Sequence, residues 1–72
     1  MISAYNRERW VVRSLTLNTE AYLLQKQSKL TEALQCLEEA ETLETREGAS
    51  PIDAARTKLN KSVVLSRLGR YE

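Results

Sequence analysis

AYLLQKQSKLTEALQCLEEA, residues 21–40, decides the fold. Small and large apolar residues alternate through it at helical steps: Ala21, Leu24, then Leu30, Ala33, Leu37 and Ala40, with Ser28-Lys29 as a short break between two amphipathic runs. The second run is the clearer one. Leu30, Ala33, Leu34, Leu37, Ala40 and Glu41 follow the i, i+3, i+4, i+7 pattern, Leu43 widens the stripe, and Glu32, Glu38, Glu39, Glu44 and Glu47 are expected on the opposite, solvated face. Ser28 is expected to cap this helix with its hydroxyl. Gly48 ends it, because glycine accepts the left-handed conformation found just past a helix C-terminus.

Working outward, the N-terminal side carries Val11, Leu15, Leu17, Ala21 and Leu24 at three- and four-residue steps with no Gly or Pro between them, which predicts a first helix over about 4–27. On the C-terminal side Ser50-Pro51-Ile52-Asp53 spells out a helix start: a capping hydroxyl, a proline where a missing N–H costs nothing, and an acid three residues after the cap. The second helix is predicted over about 31–47 and the third over about 51–68, closed by Gly69. In the third, Ile52, Ala55, Leu59, Ser62 and Val63 form the main stripe, with Leu65 and Leu68 nearby. A fourth helix is expected to begin near Tyr71.

Composition supports an all-α chain. Leu, Ala, Glu, Lys, Arg and Gln dominate the 72 residues, with two glycines, one proline and no phenylalanine, a mix that favours helix over strand. No apolar run approaches the ~20 residues that cross a bilayer, so the chain is expected to be soluble and cytoplasmic, with no membrane partner. One cysteine and no histidine exclude an internal disulfide and argue against a zinc site, so no metal or cofactor is expected. Without histidine to activate Cys36, a half-buried structural thiol is expected there, and a non-catalytic protein.

Charge is unevenly spread. Residues 1–29 carry five cations against two anions, residues 30–50 one against six, and residues 51–72 five against two. Basic, acidic and basic helices attract each other when packed antiparallel, and complementarity across a helical layer is the expected use of that charge.

The pattern also recurs. Ala21 pairs with Ser62, Leu24 with Leu65, Ser28 with Gly69 and Leu30 with Tyr71, each 41 positions apart and of matching size class. Together with Ala33, Leu37 and Ala40, this constellation resembles the tetratricopeptide repeat over about one and a half copies, a helix–turn–helix unit in which small residues sit where two helices cross. Ala21 and Ala33 would let the axes approach to about 8–10 Å. The period exceeds the common 34 residues by seven, about two helical turns, and so is similar to the longer kinesin-light-chain variety. Glu20 and Lys61 stand where the family has a large apolar residue, and Ser28 where it has a turn glycine.

The resemblance implies a protein-interaction scaffold within a larger assembly, whose groove is lined by the first helix of each repeat. It places Leu15, Asn18, Tyr22, Gln25 and Lys26 there from the first copy, and Arg56, Leu59, Asn60, Val63, Ser66 and Arg67 from the second. Asn18 and Asn60 are expected to read the backbone of a bound peptide, Tyr22 to give flat contact area, and Lys26, Arg56 and Arg67 to favour an acidic ligand. The carboxylate clamp of chaperone-binding members is not expected: only Asn60 matches it, with Asn18 in place of a lysine and Tyr22 in place of an asparagine. Trp10 and Tyr5 are expected to pack against a neighbour rather than to bind. An RNA-binding helical repeat is the alternative, with basic helices touching phosphates, but the acidic second helix speaks against it. Self-association through the uncovered third helix (Leu59, Val63, Leu65, Leu68) is a third possibility.

Overall fold

The computed structural model describes residues 2–69, with side chains from Arg9 onward. Three helices follow in order: α1 Ile2–Lys26, α2 Leu30–Glu47 and α3 Pro51–Leu68. Short connections at 27–29 and 48–50 turn each helix back on the last, so that α2 runs antiparallel to both neighbours. The expected fourth helix and Tyr71 fall outside the described residues, as does the side chain of Tyr5.

The core forms where the small residues were expected to admit close approach. Ala21 of α1, Ala33, Leu34 and Leu37 of α2 and Val64 of α3 make one buried cluster, with Leu24, Leu30, Cys36, Leu65 and Leu68 half-buried against it. Leu17, Ala40 and Leu43 are also buried. Leu37 has no exposed surface, and truncating such a leucine costs about 2–5 kcal/mol, a large share of the stability of so small a domain.

The helix ends are set by local chemistry. Ser50 caps α3 through a bond from the Asp53 N–H to its Oγ at 3.3 Å, Pro51 takes the first helical position, and the Ser50 hydroxyl in turn donates to the Asp53 carboxylate at 3.1 Å. Gly48 and Gly69 both have φ of +72°. The expected cap at Ser28 does not form: α2 starts after Lys29 with no side-chain cap, and Ser28 instead has φ +64°. Its N–H donates to the Gln25 carbonyl at 2.9 Å and that of Lys29 to Leu24 at 2.8 Å, the paired bonds of a Schellman turn. Ser28 thus closes α1 as Gly69, 41 residues later, closes α3.

The alternating charges bond across the layer. Arg13 of α1 meets Glu39 of α2 at 2.6 Å, and Lys61 of α3 meets Glu41 of α2 at 2.9 Å.

Three expectations about faces are corrected. The main apolar stripe of α3, Ile52, Ala55, Leu59, Ser62 and Val63, is exposed, as the groove placement of Leu59 and Val63 requires, while α3 buries Thr57 and Val64, and Leu65 and Leu68, expected on the uncovered face, are half-buried with Ala54. Leu15 lies off the buried stripe of α1, which instead contains Ser14, Leu17, Asn18 and Ala21. Glu44, expected in solvent, is 3% exposed. One cause links all three: a polar cluster sits at the meeting point of the helices.

Candidate protein-binding surface

That cluster is a chain of hydrogen bonds with a single direction. The half-buried Asn60 amide donates to Asn18 Oδ1 at 2.7 Å, Asn18 Nδ2 donates to Thr57 Oγ1 at 3.1 Å and to the Ser14 carbonyl at 2.9 Å, and Thr57 Oγ1 donates to Glu44 Oε2 at 2.6 Å. Ser14 Oγ reaches the same carboxylate oxygen at 2.5 Å. A carboxylate only accepts, a hydroxyl relays and an amide supplies two protons, so each group has a partner of the right kind. No buried side-chain nitrogen or oxygen among the described residues lacks a partner. Burying Glu44 is tolerable because two hydroxyls replace its water.

This network and one further bond fix how α1 and α3 lie together. Asn18 meets Asn60, and the carbonyl of Gln25 accepts from Arg67 Nη1 at 2.9 Å. Both contacts span 42 residues and stand seven residues apart on each helix. Two contacts with one offset mean that α1 and α3 run parallel and in register.

The exposed side of this seam is the candidate surface. Leu15 and Tyr22 lie one turn either side of Asn18; Arg56 and Val63 lie one turn either side of Asn60. Leu59 and Ile52 continue the stripe on α3. Exposures are 43% for Leu15, 53% for Tyr22, 76% for Ile52, 66% for Leu59 and 42% for Val63, and a run of exposed apolar side chains rimmed by polar groups is the kind of patch that marks interaction sites. Lys26 sits over the Tyr22 ring, 5.2 Å from its centroid, close enough for cation–π attraction. Arg56 pairs with Asp53 at 3.2 Å, and Arg67 closes the far end on Gln25. The margins are cationic and the floor is hydrocarbon.

Compared with protein-family models, curated proteins and solved structures, the chain matches none. The surface therefore rests on its own geometry.

Of the residues that sequence reasoning placed here, Tyr22, Lys26, Arg56, Val63, Arg67, Leu15, Leu59 and Ser66 are exposed, Gln25 and Asn60 are half-buried, and Asn18 is buried. Asn18 is wholly engaged within the protein, which leaves it nothing with which to read a ligand backbone. Ile52, 76% exposed, shares the apolar stripe of Leu59 and Val63 but is not among the residues placed on this surface from sequence. Val12 and Leu23, 61% and 53% exposed, lie further round α1, off the seam.

Two other features are less suited to binding. An open cleft of about 800 Å³ lies between the end of α2 and the start of α3, but its charged lining, Glu41, Glu44, Arg46 and Lys58, is of mixed sign, and it holds no large exposed apolar side chain. The Cys36 thiol is half-buried and free; burial, then the nearby Glu20, Glu39 and Glu32 carboxylates, push its pKa above the ordinary 9.0, which suppresses the reactive thiolate.

Proposed function

We propose that this chain is a non-catalytic protein-binding module of tetratricopeptide type, which presents the joined face of α1 and α3 to an acidic and partly apolar segment of another protein. The observation that carries the reading is the parallel, in-register seam: two helices one repeat apart stand side by side, with their exposed apolar residues gathered on one strip between cations. Further support comes from the backbone equivalence of Ser28 and Gly69 one period apart, and from the burial of Ala21, Ala33 and Ala40 where close-packed helices need small residues. A cytoplasmic setting and a place in a longer array belong to the same proposal.

Selection of peptides from a random library, with wild-type protein and the Leu59→Glu/Val63→Glu double variant in parallel, tests it. Wild-type protein should enrich segments with acidic and large apolar residues, and the variant should lose them while keeping its helical circular dichroism. Identical selections from both proteins would defeat the assignment of the surface. Binding of RNA in preference, weakening steeply with salt, would defeat the assignment of the partner.

A further inference from the structure

We infer that the segment bound on the α1–α3 face is itself an α-helix, amphipathic, with an apolar stripe bordered by Asp or Glu; this rests on the binding function proposed above and specifies its partner. Hydrogen-bond accounting carries it. An extended segment must satisfy a backbone N–H and C=O at every residue it desolvates, and an unpaired one is costly. Amide side chains along the seam are the natural readers of such a backbone, and here the central one, Asn18, is wholly committed within the protein. Asn18 has given both N–H groups inward and its Oδ1 accepts from Asn60; Asn60 has given one of its protons to Asn18. At the far end the Arg67 guanidinium is turned onto the backbone carbonyl of Gln25. What the face offers instead is hydrocarbon: Leu15 on α1, and Ile52, Leu59 and Val63 on α3.

A helix needs nothing from such a floor, because its backbone bonds are internal. Ile52 to Val63 spans ~16 Å, about three helical turns, which matches the i, i+4, i+7, i+11 anchors of a short amphipathic helix laid in a groove. Charge selects among such helices. Lys26, Arg56 and Arg67 border the floor, while Asp53, paired with Arg56, is the one acid beside them among the described residues of α1 and α3 at this face. The protein already contains one instance of this recognition: acidic α2 is held between basic α1 and α3 through Glu39–Arg13 and Glu41–Lys61. A second copy of the chain is the poorer occupant, since mating two such faces would bring the cations Arg56 and Arg67 of one copy near those of the other.

The test uses the full 72-residue chain and synthetic peptides of about 18 residues, ~27 Å as a helix, with leucines at i, i+4, i+7 and i+11 and glutamates flanking them. One is held helical by a side-chain staple, one is broken by two central prolines, and one has lysines in place of the glutamates. Anisotropy should show the stapled acidic peptide binding at least tenfold tighter than either of the others, with methyl NMR shifts confined to Leu15, Leu59, Val63 and their neighbours, and with loss of binding in Leu59→Glu. If the proline-broken peptide bound as tightly on the same methyls, the helical partner would be wrong and the binding surface would stand. Absence of binding by every peptide up to about 1 mM, or shifts on another face, would remove both. Concentration-dependent dimerisation abolished by Leu59→Glu would show a second copy as occupant and overturn the inference.

Discussion

The Thr57 hydroxyl donates to the buried Glu44 carboxylate at 2.6 Å, and Ser14 donates to the same oxygen from the other side. Three helices therefore meet on one atom. Glu44→Ala should cost about 2–4 kcal/mol in urea unfolding, combining lost charge-assisted bonds with two stranded hydroxyls. Because both donors use one oxygen, the amide oxygen of Glu44→Gln can replace it, and that variant should lose less than half as much. Equal losses would mean that the negative charge, and not the acceptor, is what the site requires.

Ser28 occupies a left-handed conformation that costs an L-residue about 1–2 kcal/mol, and among the described residues its side chain has no hydrogen-bond partner to compensate. Ser28→Gly should raise stability by about 0.5–1 kcal/mol once the extra chain entropy of glycine is subtracted.

Gly48→Ala is the counterpart. A Cβ at Gly48 would meet no atom within 4 Å, so the variant isolates the backbone term, and a loss of about 1 kcal/mol is expected. A much larger loss would reveal packing against Gly48 that the structure does not contain.

Ala33 has no exposed surface and sits in the buried cluster with Ala21. Ala33→Leu should force the α1–α2 crossing apart and cost about 1–3 kcal/mol or more. The thermal midpoint, followed by circular dichroism, measures it.

The Lys61 pKa is raised above 10.5, chiefly by its hydrogen bond to Glu41. A folded-state pKa above the unfolded one means stability that is complete below the unfolded pKa and fades as pH climbs through the folded one. Cys36, with its pKa raised above 9.0, acts in the same direction. Stability should therefore be flat near neutrality and fall from about pH 9 upward. In Lys61→Met the part of that fall above pH 10 should be smaller, with no more than about 1 kcal/mol lost at pH 7 for a half-exposed pair.

Much of this was legible in the sequence. Three helices, the Ser50 cap, the glycine stops and the small residues at the α1–α2 crossing follow from local propensity and from 3.6-residue periodicity, which act within a few residues. The interhelical ion pairs follow from alternating net charge. What periodicity could not reveal was which side of α3 turns inward. That helix has an apolar stripe, Ile52–Leu59–Val63, and a mixed one, Thr57–Asn60–Val64, and a count of hydrocarbon favours the first. The deciding group lies 13 residues before Thr57 in another helix. Glu44 itself looked like one more surface acid among many, and Asn18 like a free amide, because satisfied burial of a polar side chain depends on partners that come together only in the folded chain.

Glu44 therefore does more than fill a position. Rolling α3 about half a turn would hide Ile52 and Leu59 and gain hydrocarbon contact, yet it would carry Thr57 away and leave an anion in the dark with one hydroxyl for company. A single carboxylate thus discriminates between two rotational settings of its neighbour, and the greasy strip stays in water because folding is not permitted to consume it.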